Sequence, residues 1–179
     1  MRWRSLRNKL SKFFTKDVCE NKLDSMMREA IEVASRSKDE NTKVGALLVA
    51  KDDFATIATG YNGFIRGADD AKLPKSRPDP NAPKDEPTKY DYMRHAEENI
   101  ITHCARRGIA TKDTFIVITL SPCTNCLRMC YQAGIDEFYF LEEYRDFHKS
   151  ANMLDLNVQV KQICTNQYTL SKITLTPKK

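Results

Sequence analysis

A chain of 179 residues is most simply one domain, and 41% hydrophobic with 30% charged residues is the composition of a soluble globular protein, with no apolar run long enough to cross a membrane. The net charge of +5 sits at the start, because Arg2, Arg4, Arg7, Lys9, Lys12 and Lys16 precede the first acid, Asp17, and leave −1 for the rest. A body so close to neutral argues against a grip on a polynucleotide backbone, so neither nucleic acid nor membrane is expected as a partner.

Within 1–16, Trp3, Leu6, Leu10 and Phe13 recur near helical spacing with basic residues on the other faces. This predicts an extra helix that packs on the domain or on a neighbouring subunit, with a membrane-surface or nucleic-acid arm as the alternative. Apolar residues at Leu23, Met26, Met27, Ala30, Ile31 and Ala34 predict the first body helix over 21–37. Strands follow at 43–50 and 54–63, joined by a turn at 51–53 into an antiparallel hairpin. Gly60 and Gly63 bracket Tyr61 and Asn62 at its end, where the backbone either approaches a ligand or makes an ordinary turn. The stretch 64–91 holds five prolines and no periodicity, and its length predicts an active-site flap or a subunit contact.

The chemistry begins after it. His95 and Glu97 open an apolar-periodic helix over 94–107 with Gly108 as its stop, and the strand 113–120 then leads to Ser121, Pro122, Cys123 and Cys126. Ser121 is suited to cap a second helix, over 123–132, with Pro122 in its first position. One imidazole and two thiolates are three ligands that suit Zn²⁺ and leave a tetrahedral position for water. Glu97, two residues from His95, is placed to act as a proton shuttle rather than a ligand. The bland readings are a redox or structural C-x-x-C and an uninformative H-x-E. No apolar h-region follows the basic start, so no secretory signal is expected, and six cysteines with metal-like spacing predict a reducing compartment, cytoplasm by default. A strand at 137–144, a short helix at 145–156 and a strand at 158–163 complete an alternation that predicts parallel pairing, hence an α/β fold with a mixed sheet.

H-x-E followed by P-C-x-x-C is the known signature of the zinc deaminases. On these residues, with "ASRSKDENTKVGALLV", "GYNG" and "EEYRD", the chain resembles the cytidine deaminase-like superfamily, and within it the deoxycytidylate (dCMP) deaminases of phages and eukaryotes. The resemblance implies a three-layer α/β/α fold with a mixed five-stranded sheet, and a division into a basic extension, 1–20, and a catalytic domain, 21–179. It implies a hydrolase that converts dCMP to dUMP with Zn²⁺ on His95, Cys123 and Cys126 and with Glu97 as catalytic acid and base. Substrate contacts carried over are Ala96 and Ser121 for the base and Asn62 for the deoxyribose, with Tyr144, Arg145 and Lys38 or Asn41 for sugar and phosphate. It further implies a homo-hexamer activated by dCTP and inhibited by dTTP, each bound with Mg²⁺ near Gly60, Tyr61, Asn62 and Gly63. Phe64 to Gly67 and Glu143 depart from the family pattern and bear on effector contacts and on the choice between mono- and triphosphate. Rival readings are a polynucleotide deaminase of the same superfamily and a non-catalytic zinc module.

Overall fold

The structure is a computed structural model that describes residues 16–144, apart from 80, 82 and 84, together with strands at 159–162, 168–171 and 174–177; side chains are described within 22–144. The amphipathic helix expected over 1–16, all but its last residue, the helix expected over 145–156 and Arg145 lie outside the described residues.

Helix α1 spans Lys16–Ala34 and crosses the boundary expected after residue 20. Strands β1, Gly45–Ala50, and β2, Thr56–Tyr61, form the expected antiparallel hairpin. Two short strands, β3 at Gly63–Phe64 and β4 at Met93–Arg94, pair antiparallel, with the short helix α2, Lys89–Tyr92, just before β4. Helix α3 spans Ala96–Arg107, strand β5 Thr114–Leu120, helix α4 Thr124–Gln132 and strand β6 Glu137–Glu142. Strand β7, Gln159–Gln162, closes the main sheet, and β8, Tyr168–Ser171, and β9, Thr174–Pro177, form a hairpin of their own.

The main sheet has five strands in the order β2-β1-β5-β6-β7. β1 is antiparallel to both β2 and β5, whereas β5, β6 and β7 pair in parallel, so the sheet is mixed as expected. Successive strand side chains point to opposite faces, and the two cores follow that alternation. Ala46, Leu48, Ile116, Ile118, Phe138 and Phe140 face Ala96, Ile100 and Cys104 of α3 and Leu127 and Cys130 of α4. Leu47, Val49, Phe115 and Val117 face Met26, Met27, Ala30 and Ile31 of α1 on the other side. The result is three layers, α/β/α.

The central strand β5 is buried on both faces, which explains why its sequence reads as a nearly continuous apolar run. Gly108 adopts a left-handed backbone, φ 66°, and ends α3 as its position in the sequence predicts. Among the described residues, no helix is long and apolar enough to cross a membrane.

The long stretch after β3 is an excursion whose two ends are held together by the pairing of Gly63 with Arg94 and of Phe64 with Met93. That two-residue ladder brings the chain back to the start of α3, so the loop returns to His95 from the side of β2. Strands this short carry no period-2 pattern that a sequence could display.

Candidate active site

His95 and Cys123 occupy equivalent places in the fold. Each is the N-cap residue of its helix, α3 and α4 respectively, with an extended backbone at φ −73°, ψ 160° and φ −75°, ψ 167°. Cys123 as N-cap corrects the expectation that Pro122 begins α4 and Ser121 caps it. Ser121 has other partners: its hydroxyl accepts from the Tyr144 N–H at 2.7 Å and its own N–H donates to the Glu142 carbonyl at 2.8 Å. These bonds tie the ends of β5 and β6 together directly over the helix start.

Cys126 lies one turn into α4 and is buried. Its Sγ is 3.4 Å from His95 Nδ1, the Cys123 Sγ is 3.6 Å from the same nitrogen, and the three ligand atoms all lie within 4.8 Å of one another. Zinc bonds of about 2.3 Å to sulfur and about 2.0–2.1 Å to nitrogen at a tetrahedral angle place N and S about 3.6 Å apart. The donor set and its spacing therefore fit zinc. The His95 N–H donates to the Glu98 carboxylate at 2.8 Å, which fixes the backbone of the ligand residue. Glu98 is the acid at the third helical position, the place of a capping box, a signal that the sequence carries but that does not by itself mark a site.

The three ligand groups share protons among themselves, and metal binding would displace the protons held on His95 and Cys126. The Cys123 thiol is held down to about 4, first by a hydrogen bond from Cys126 and then, against the cost of burial, by His95. His95 is correspondingly raised to about 9, chiefly by its hydrogen bond to Cys123. Cys126, the partner that keeps its proton for Cys123, is pushed up. Glu97 is 3% exposed, and burial pushes its carboxyl up to about 7, partly opposed by its own backbone N–H and by His95. A carboxyl near neutrality can both accept and return a proton, which is what general acid–base work requires.

These residues open into a cleft of about 500 Å³. Besides His95, Ala96, Glu97, Ser121 and Cys123, it is lined by Asn62 and Tyr144, all predicted from the sequence. Asn62 is 8% exposed, and its carboxamide accepts from Val44 N–H at 2.7 Å and donates to the Thr42 carbonyl at 2.8 Å. Its amide nitrogen is also 3.3 Å from Asp39 Oδ2. Asn62 thus staples the turn before β1 to the end of β2. Lys38 and Asn41 are exposed on that turn and are not among the residues that line the cleft. Asn41 instead accepts the Arg77 N–H on its carboxamide oxygen at 2.6 Å.

Of the four effector candidates, only Asn62 lines the cleft. Tyr61 is 37% exposed, and its carbonyl accepts from the Asn99 amide at 2.7 Å. Gly60 is a close-packing residue: a Cβ there would lie 2.4 Å from the Ala96 carbonyl oxygen and 2.7 Å from Ile100 Cγ1. A Cβ at Gly63 would meet the Tyr61 ring at 3.5 Å, an ordinary contact.

The cleft also holds residues that the sequence did not single out, among them Asp39, Thr42, Arg77 and Lys89. Lys89 and Asp39 form a buried ion pair at 2.7 Å, and Asp39 Oδ1 additionally accepts the N–H groups of Asn41 and Thr42 at 2.8 and 2.9 Å. Neither residue carries a spacing signature, and their separation along the chain hides the pair from any local pattern.

Residues 20–142 match the family described as the cytidine and deoxycytidylate deaminase zinc-binding region. The chain belongs to the cytidine and deoxycytidylate deaminase family. Among relatives, a probable deoxycytidylate deaminase of Drosophila melanogaster is 32% identical over 155 residues, 83% of this chain and 75% of that protein. A probable deoxycytidylate deaminase of Caenorhabditis elegans is 37% identical over 131 residues, 72% of this chain but 62% of that protein, so the match spans about three fifths of that relative's length. The dCMP deaminase of cyanophage S-TIM5, solved in complex with dCMP and dUMP, superimposes with a TM-score of 0.63 at 24% identity over 83% of this chain and 98% of that one. That likeness carries the fold, a cytidine deaminase-like α/β/α sandwich.

Proposed function

We propose that this protein hydrolyses dCMP to dUMP and ammonia, with zinc held by His95, Cys123 and Cys126 and with Glu97 moving the protons. The observation that carries the reading is the convergence of the three ligand atoms within 4.8 Å beside a buried carboxyl in an open cleft. The choice of dCMP draws on the deoxycytidylate deaminases among the relatives.

A zinc ion in such a site supplies Lewis acidity that makes water a nucleophile near neutral pH. Glu97 accepts a proton from the water that adds to C4 of the cytosine ring and delivers it to N3. It then carries the second water proton to the exocyclic nitrogen, which leaves as ammonia while the carbonyl of uracil forms. The Ala96 N–H is assigned to the pyrimidine O2 and the Ser121 carbonyl to the amino group. The Ser121 hydroxyl already accepts from Tyr144 N–H, so the hydroxyl positions this segment while the carbonyl serves the base. Tyr144, 36% exposed at the cleft, is assigned to the sugar together with Asn62. Arg145, Lys38 and Asn41 remain assigned to sugar and phosphate on the family resemblance.

The same resemblance supports a cytoplasmic enzyme that supplies dUMP for thymidylate synthesis. It also supports a homo-hexamer governed by dCTP and dTTP with Mg²⁺, and effector contacts at Gly60, Tyr61, Asn62 and Gly63. The reaction is tested by incubating the zinc-loaded protein with dCMP, dCTP, cytidine and a cytosine-containing oligonucleotide and measuring ammonia. Release from dCMP is expected, with dCTP accelerating and dTTP slowing turnover. Conversion of the oligonucleotide alone contradicts the reading.

A further inference from the structure

We infer that Arg77 is a further residue that recognises the phosphate of a nucleoside monophosphate in this cleft, and that the Lys89–Asp39 pair exists to present it. The inference rests on the reading that the substrate is a nucleotide.

Three basic side chains line the cleft: Arg77, Lys89 and Arg94. Two have an acidic partner within the protein, closely for Lys89 and more loosely for Arg94. The Lys89 ammonium lies 2.8 and 2.7 Å from the two Asp39 oxygens, with both residues buried. Arg94 lies 3.5 Å from the Glu98 carboxylate, which also holds the His95 backbone. Arg77 is exposed and, among the described residues, forms no ion pair; its guanidinium reaches only the Thr42 hydroxyl, at 3.4 Å. The cleft wall also carries the acids Asp39, Glu97 and Glu143 and the ligand residues His95 and Cys123. A phosphate dianion entering such a cleft needs a cation that is not already neutralised, and a planar guanidinium can meet two phosphate oxygens at once.

Arg77 is also mounted in a way that suits a binding residue. Its backbone N–H donates to Asn41 Oδ1 at 2.6 Å, the Ser76 hydroxyl donates to the Glu40 carboxylate, and the Glu40 N–H donates to the Lys75 carbonyl at 3.3 Å. Three successive loop residues are therefore stitched to the turn before β1. That turn is itself set by Asp39, which accepts the Asn41 and Thr42 N–H groups and is neutralised by Lys89. The long proline-rich excursion thus docks its middle on the cleft, with the backbone of Arg77 fixed and its guanidinium paired with no acid among the described residues. The Thr42 hydroxyl beside that tip offers a second donor to the same phosphate.

The test compares wild type, Arg77→Ala and Arg77→Lys in the zinc-loaded protein, with zinc content and thermal melting as folding controls. Calorimetric titration with dUMP and with deoxyuridine reads the contribution of the phosphate apart from turnover. Arg77→Ala is expected to weaken dUMP by about 10- to 100-fold, the scale of a charge-assisted contact. It should leave deoxyuridine unchanged, and Arg77→Lys should recover part of the loss. In kinetics the same change appears in KM for dCMP and not in kcat. Equal weakening of nucleotide and nucleoside, or no weakening of either, overturns the assignment, as does a wild type that binds dUMP no better than deoxyuridine. Failure of the wild type to release ammonia from dCMP while it still prefers dUMP overturns the proposed reaction instead, and the Arg77 comparison still reads.

Discussion

Lys89 Nζ is held between the two carboxylate oxygens of Asp39 at 2.8 and 2.7 Å, with side chains only 4% and 6% exposed. Removing one partner of such a pair leaves the other buried and uncompensated, at about 3–5 kcal/mol. Lys89→Met is therefore expected to lose stability on that scale in chemical denaturation. Adding Asp39→Asn removes the stranded charge but keeps an oxygen for the Asn41 and Thr42 N–H groups, so the double variant should be more stable than Lys89→Met alone. A double variant as unstable as the sum of the two singles would show that the charges do not compensate each other.

Gly60 shows how a loop that reads as a ligand contact can owe its glycine to packing. The Cβ of Gly60→Ala would come within 2.4 Å of the Ala96 carbonyl oxygen, which is backbone and cannot rotate away. Helix α3 would have to shift at its first turn, the turn that carries Glu97. Overpacking of this kind costs about 1–3 kcal/mol or more. A lowered melting temperature together with reduced turnover is expected; an unchanged melting temperature would contradict the close approach.

Lys51 and Asp136 link the end of β1 to the residue before β6, with 2.7 Å between Nζ and Oδ1. Asp136 is held below its ordinary 3.8, chiefly by the hydrogen bond from Lys51, and Lys51 is raised above its ordinary 10.5, chiefly by the hydrogen bond to Asp136. The acid contributes stability above its unfolded value, and this is lost as pH falls through the depressed folded value. The base contributes below its unfolded value, and this is lost as pH rises through the raised one. Lys51→Met should therefore differ from wild type most between about pH 4 and 10. Both groups are more than a third exposed, so solvent screening limits the difference to at most about 1 kcal/mol and added salt should shrink it. Denaturation midpoints across pH check this, and a difference that grows below pH 3 would contradict it.

The fit of the donor set to zinc gives a further expectation. A ligand that binds only the folded state at about 100 to 1,000 times its Kd stabilises by about 2.7 to 4.1 kcal/mol. Chelation should lower the melting temperature of wild type and do little to Cys126→Ala, which removes a buried ligand. Equal sensitivity of the two proteins to chelator would mean that Cys126 does not hold the metal.

The readable parts of this chain were those where local pattern and chemistry coincide. His95, Glu97, Cys123 and Cys126 have side chains with few other reasons to occur at that spacing, and the structure brings the three ligands together. Strand β5 announced itself by an unbroken apolar run because both its faces are covered. Ser121 and Pro122 place the start of α4 two residues early because Ser and Pro favour helix starts generally, whereas here the Ser121 hydroxyl is taken by Tyr144 N–H just past the next strand. The same limit hid Lys89, Asp39 and Arg77. Their roles come from bonds between the turn before β1, the loop and α2, and no local period encodes a contact across fifty residues.

The central claim is that Glu97 moves protons for a zinc-dependent deamination of dCMP. Ammonia release from dCMP by Glu97→Gln, measured beside zinc content, tests it most directly. The account predicts that the variant keeps its zinc, since Glu97 is not among the three clustered ligands, and loses about 10²- to 10⁴-fold in kcat. A variant that retains both zinc and wild-type turnover would contradict it.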